Sequence, residues 1–218
     1  MSEQAVHDWH FLTLTMFPDS LDGNTSISLD HMVHRRSGNI SLEIGTQATN
    51  VGAEVNGALY QDVYRALERA CNKPKDQTCG PDAKSSFPVW IITNGAVKKE
   101  DLLVTVKTAR WDGNEQTYRL LIGAVAGAAE RGTWYPEHCE HVRTSNGEYF
   151  QLCNTISRAA VSFSGHYHMH VSFQSSSSGQ FDCWKIQETV AGYLDHLQPE
   201  IEQVVGEGDL WVNVQCKK

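Results

Sequence analysis

Residues 158–174, "RAAVSFSGHYHMHVSFQ", decide how the rest of the chain is read. Successive side chains of a strand point to opposite faces of its sheet. Here Val161, Phe163, Tyr167, Met169, Val171 and Phe173 share one parity, and Ser162, Ser164, His166, His168, His170, Ser172 and Gln174 share the other. One face is apolar and the other polar. That is the pattern of an antiparallel strand with a core on one side and water on the other. The stretch predicts one long strand, or a hairpin broken at Ser164-Gly165. It also predicts a sheet whose helices pack on one face only.

Working back from it, "EYFQLC" (148–153) is a short strand and "NEQTYRLLIGAVAGAAER" (114–131) a helix with Asn114 as N-cap. Gly123 and Gly127 give that helix a small-residue side for close packing on a sheet. "LLVTVKT" (102–108) is a strand. Working forward, "DCWKIQETVAGYLDHL" (182–197) is a helix capped by Asp182, which Pro199 ends or kinks. "DLWVNVQC" (209–216) is the last strand. Residues 102–216 thus follow strand–helix–strand–strand–helix–strand, the βαββαβ order of a ferredoxin-like split βαβ unit. Towards the N-terminus, 10–18, 27–34, 39–46 and 89–95 are strand-like, with turn chemistry in "RRSGN" between the second and third. Residues 56–71 form a helix with Leu59, Val63, Ala66 and Leu67 on one stripe. The Pro- and Lys-containing stretch 72–88 is the best linker or long loop. The expected fold is α+β and disulfide-stabilised. Its domains are an N-terminal α+β region over residues 1–88 and a βαββαβ sandwich over residues 89–218, or one continuous domain.

The chain has 218 residues, 40% of them hydrophobic and 20% charged, enough for a packed core. The net charge is −8 and the 18 Lys and Arg are scattered. Such a surface argues against nucleic acid and against anionic membranes. The apolar run "LLIGAVAGAA" (120–129) is too short to span a bilayer.

The six cysteines contain no Cys-x-x-Cys pair and allow fifteen connectivities. One pairing has a distance argument. A helix over 183–197 is about 22 Å long, and a strand over 210–216 returns about 23 Å. Cys216 then comes back to the level of Cys183. Cys71–Cys79 would clip the first helix to the loop after it, and Cys139–Cys153 would close the remaining loop. Sequons at Asn24 and Asn39 add glycosylation sites if the chain is secreted. The opening "MSEQAVHDWHF" has no apolar h-region and does not read as a signal peptide. Either a leader has been removed and the protein is extracellular, or it is cytosolic with free thiols.

Three groups of residues could carry chemistry. His166, His168 and His170 could chelate zinc, alternate residues standing about 7 Å apart on one face. A further ligand could come from "HCEH", where His138, Glu140 and His141 cluster, or from "HDWH" at 7–10. "HMVH" (31–34) has helical metal spacing in strand-like sequence. "HCEH" could also hold a Cys139 thiolate beside a base, against a plain half-cystine. "GTWYPEH" (132–138) could present Trp134 and Tyr135 to a partner.

The βαββαβ order, the even cysteines and the bridge from last helix to last strand resemble small secreted cysteine-rich proteins of fungi with the killer-toxin-like α/β-sandwich fold, among them virulence effectors. The resemblance covers 102–216. It implies a secreted, non-enzymatic effector or toxin-like protein, without a cofactor, that binds a protein or glycan of a host or competitor. The alternatives are a zinc-binding protein or metal-dependent hydrolase using the histidine face, and a cytosolic hydrolase with free thiols.

Overall fold

A computed structural model describes residues 38–55, 57–93, 96–144, 147–176, 179–206 and 210–218. Expectations for 10–18, 27–34, "HDWH", "HMVH" and Asn24 lie outside the described residues. The described residues belong to one compact unit.

The alternating sequences form strands. β1 (Gly38–Gly45) buries Ile40, Leu42 and Ile44. β2 (Ala48–Gly52) follows after a short bend, and α1 (Gly57–Ala70) buries Leu59, Val63, Ala66 and Leu67. β3 (Ala83–Thr93) and β4 (Ala96–Arg110) pair as a long hairpin, from Ala83↔Val106 to Thr93↔Ala96. Both strands are longer than the sequence suggested. β3 begins inside the expected loop and runs through the boundary placed at 88–89, so no domain division falls there. Pro88 hides this strand from a sequence reading, yet an edge strand tolerates a residue without an N–H.

α2 (Glu115–Gly132) starts where Asn114 Oδ1 accepts the Thr117 N–H at 3.0 Å. β5 (Cys139–Arg143), β6 (Tyr149–Ile156), β7 (Arg158–Phe163) and β8 (Tyr167–Gln174) follow. α3 (Cys183–His196) is capped by Asp182, whose carboxylate accepts the Trp184 N–H. As expected, the helix breaks ahead of Pro199, at Leu197, and a second helix follows at once. Pro199 sits in the first turn of α4 (Gln198–Val205), where its missing N–H costs nothing. β9 (Leu210–Lys217) closes the described chain.

The strands form a six-stranded sheet, β3-β4-β8-β7-β1-β9, and a three-stranded sheet, β2-β6-β5. All pairs are antiparallel except β1 with β9. The fold is α+β, as expected, but the ferredoxin-like order is corrected. Four strands, not two, separate α2 from α3. The place beside β4 that a ferredoxin-like last strand would take belongs to β3, held there by its local hairpin. β9 therefore lies at the other edge, parallel to β1. The two sheets share strand pairs that turn a corner together: β1 pairs with β7 and β2 with β6, and the Ser157 N–H donates to Gln47 O at 3.1 Å in the bend.

α1, α2 and α3 form a layer over one face of the large sheet. Gly123 and Gly127 serve this layer rather than the sheet. A Cβ on Gly127 would lie 2.0 Å from the Tyr193 ring of α3, and Tyr193 donates its hydroxyl to Gly123 O at 2.9 Å. Three disulfides are present: Cys71–Cys79, Cys139–Cys153 and Cys183–Cys216. These are the three pairings expected from the sequence.

Candidate functional site: an open sheet face and its groove

The opening stretch is the hairpin β7–β8. Ser164 and Gly165 both have positive φ, 52° and 68°, and make its turn. In β8, Met169, Val171 and Phe173 are buried beneath the helices. His168, His170, Ser172 and Gln174 therefore lie on the opposite, outer face. Cross-strand neighbours extend this face: Arg110 opposes His168 and Thr108 opposes His170 on β4, while Ser162 and Ala160 oppose the same two histidines on β7. Ser41 and Glu43 continue it on β1.

The three histidines do not act as one set. His166 belongs to the turn, before strand alternation resumes, and its ring pairs with the Asp112 carboxylate. The Arg110 guanidinium also holds Asp112 at 2.7 Å and keeps its carboxyl below the usual range. The His168 and His170 rings stand 5.4 Å apart, tilted. Burial lowers the proton affinity of His170, His168 adds to that, and Glu43 opposes it. Among the described residues, no three His, Cys, Asp or Glu side chains converge as a metal site.

The outer face runs into a groove of about 750 Å³ at the corner where the strands change sheets. Gln47, Thr49, Ser157, Arg158, Ser172, Gln174 and Phe181 are among its walls. Arg158 and Ser172 are cross-strand partners one step from Ala160 and His170, so groove and face are continuous. The Ser176 hydroxyl, hydrogen-bonded to Glu100, holds one rim. Hydroxyls and amides there offer donors and acceptors together, with one guanidinium on the rim and one aromatic wall. Such a lining suits a polar ligand, a chain of sugar hydroxyls or an exposed peptide backbone. Sequence reasoning missed it because Gln47 and Gln174 meet only through the corner. The serine-rich run 175–178 was its faint signal.

"HCEH" is taken apart by the fold. Cys139 is bonded to Cys153 across β5 and β6, which removes the thiolate nucleophile. His138 is 1% exposed. Its Nδ1–H donates to Gly132 O at 2.8 Å, and its Nε2 accepts the Asp182 N–H at 3.0 Å. The two bonds together require a neutral ring protonated on Nδ1. Glu140 and His141 are exposed on β5.

Trp134 is exposed, but its ring carries the Arg131 guanidinium 4.1 Å from its centre, and the same guanidinium lies 4.4 Å from the Tyr193 centroid. Tyr135 is partly buried and shares a 2.6 Å hydrogen bond with Thr189. Tyr135 is thus tied into the molecule while Trp134 keeps an exposed side, and Trp184 and Trp211 are more open still, 65% and 70% exposed. Asn39 is exposed on β1, in register with Trp211.

Among the described residues no helix is long and apolar enough to cross a membrane. Comparison of the chain with protein-family models, curated proteins and solved structures finds no match.

Proposed function

We propose that the protein is a secreted, cysteine-rich effector or toxin-like protein that acts by binding a protein or glycan of a host or competitor, without chemistry of its own. The observation that carries this reading is the open polar sheet face continuous with the corner groove. It presents many hydrogen-bonding groups on strands whose positions are set by a packed sheet, the arrangement recognition needs. All six cysteines are bridged, which fits an oxidising compartment. The exposed Asn39 sequon is compatible with the same route.

The test is binding of the oxidised, labelled protein to surface fractions of candidate target cells. Saturable binding is expected, weakened about tenfold or more by Arg158→Glu with Gln174→Ala, at unchanged melting temperature. Free thiols in protein recovered from its natural source would overturn secretion. Binding that ignores both substitutions would overturn the groove.

A further inference from the structure

Among the described residues, β9 closes one edge of the large sheet and no strand pairs with its outer side. Its pairing with β1 fixes where its main chain points. The Thr46 N–H donates to Lys217 O at 3.1 Å, so residue 217 turns its peptide groups towards β1. Main-chain direction alternates along a strand. Leu210, Val212, Val214 and Cys216 therefore turn theirs to the free edge. Among the described residues, Gln187 is the side chain that reaches this edge, donating from Nε2 to Val214 O. The opposite edge is better blunted: β3 carries Pro88, and Arg69 donates to Ser86 O at 3.0 Å. A strand edge with so little cover is a template for another strand.

α3 lies along β9 at this border. Cys183, Ile186, Val190 and Leu194 are its buried residues. Thr189 and Tyr193 face α2 and the segment after it, through Tyr135 and Gly123. At about 100° per residue, Trp184, Glu188, Ala191 and Asp195 then fall on the side away from α2, beside the free edge. Both acids are exposed.

We propose that the β9 edge is a docking site for an extended, basic segment of a partner protein, which adds to the sheet as a further strand. Main-chain hydrogen bonds to residues 210–216 hold it in place, with Gln187 released from Val214 O. Glu188 and Asp195 meet its cations. Trp184 and Trp211 stand towards opposite ends of the strand as exposed anchors. A second copy of this chain fits less well. Antiparallel pairing of two β9 strands brings the two α3 stripes together and sets acid against acid. This site uses the outer edge of β9, whereas the groove residues Thr46 and Arg158 meet β9 only at its end, at Lys217 O and Lys218 O, and its failure leaves the groove reading untouched.

The test uses the full oxidised chain and short blocked peptides: one alternating valine and lysine, one alternating valine and glutamate, and the lysine peptide N-methylated at alternate residues. Fluorescence anisotropy should show saturable binding of the lysine peptide alone. Glu188→Gln with Asp195→Asn should weaken it about tenfold, as should N-methylation, and bound peptide should slow amide exchange across Leu210–Cys216. Equal binding of the glutamate peptide, no binding, or protection elsewhere would overturn the proposal. So would a dimer that protects β9, or β9 edge amides already protected in the free full chain.

Discussion

Two histidine-bearing regions, 138–141 and 166–170, look alike in sequence and differ completely in the fold. His138 is enclosed where the end of α2, the start of β5 and the cap of α3 meet, and both ring nitrogens are used. His168 and His170 stand on the outer face of β8 beside short polar neighbours. The difference teaches that a structural histidine is made by the chain ends that close around it. Its local spacing does not announce the role. The first region holds elements together, and the second stands on the outer face of the sheet.

The sharpest way to break this contrast is His138→Ala. It removes a buried ring and leaves Gly132 O and the Asp182 N–H without their partner, so a loss of about 3–5 kcal/mol is expected. Chemical denaturation measures it, and a loss below about 1 kcal/mol would make His138 incidental. Next comes Cys139→Ala with Cys153→Ala, which opens the bridge beside His138. The 14-residue separation corresponds to about 3 kcal/mol of chain entropy, read from the same denaturation midpoint.

The second region should respond through protons rather than packing. His170 binds its proton less readily in the folded protein, chiefly through burial. The unfolded chain therefore takes up that proton first, and stability falls as pH drops below the unfolded value of about 6.5. His170→Gln should lose less stability than wild type between about pH 7 and pH 5. Parallel curves for the two proteins would show that the outer face leaves His170 unperturbed.

The smallest effect belongs to His168→Ala, expected within about 0.5 kcal/mol of wild type. Isothermal titration should show weak zinc binding to wild type with no equimolar endpoint. A stoichiometric zinc lost in this variant would turn the outer face into a metal site and erase the contrast.

Much of the fold was legible because its signals are local. The parity of 158–174, the stripe of α1, and the caps Asn114 and Asp182 all involve residues within a few positions of one another. The Cys183–Cys216 bridge was legible because a helix and a strand of matched length must return to one level. The missed pieces are short or lack a periodic signal. β2 and β5 have too few residues to display alternation, and α4 hides behind Pro199. The corner groove and the role of His138 depend on segments far apart in sequence, and no local pattern encodes their meeting.

By itself, the sequence determined which residues face the core, where the principal helices begin, and that the α+β fold keeps a sheet face towards water. These follow from hydrophobic periodicity and capping, which act over one or two turns of chain. Only the tertiary structure decided that β9 joins β1 at a far edge, that His138 is enclosed, and that the outer face carrying His168 and His170 runs on into a groove. Those outcomes rest on which distant strands pair and bury each other, and the β3–β4 hairpin had already taken the nearer edge.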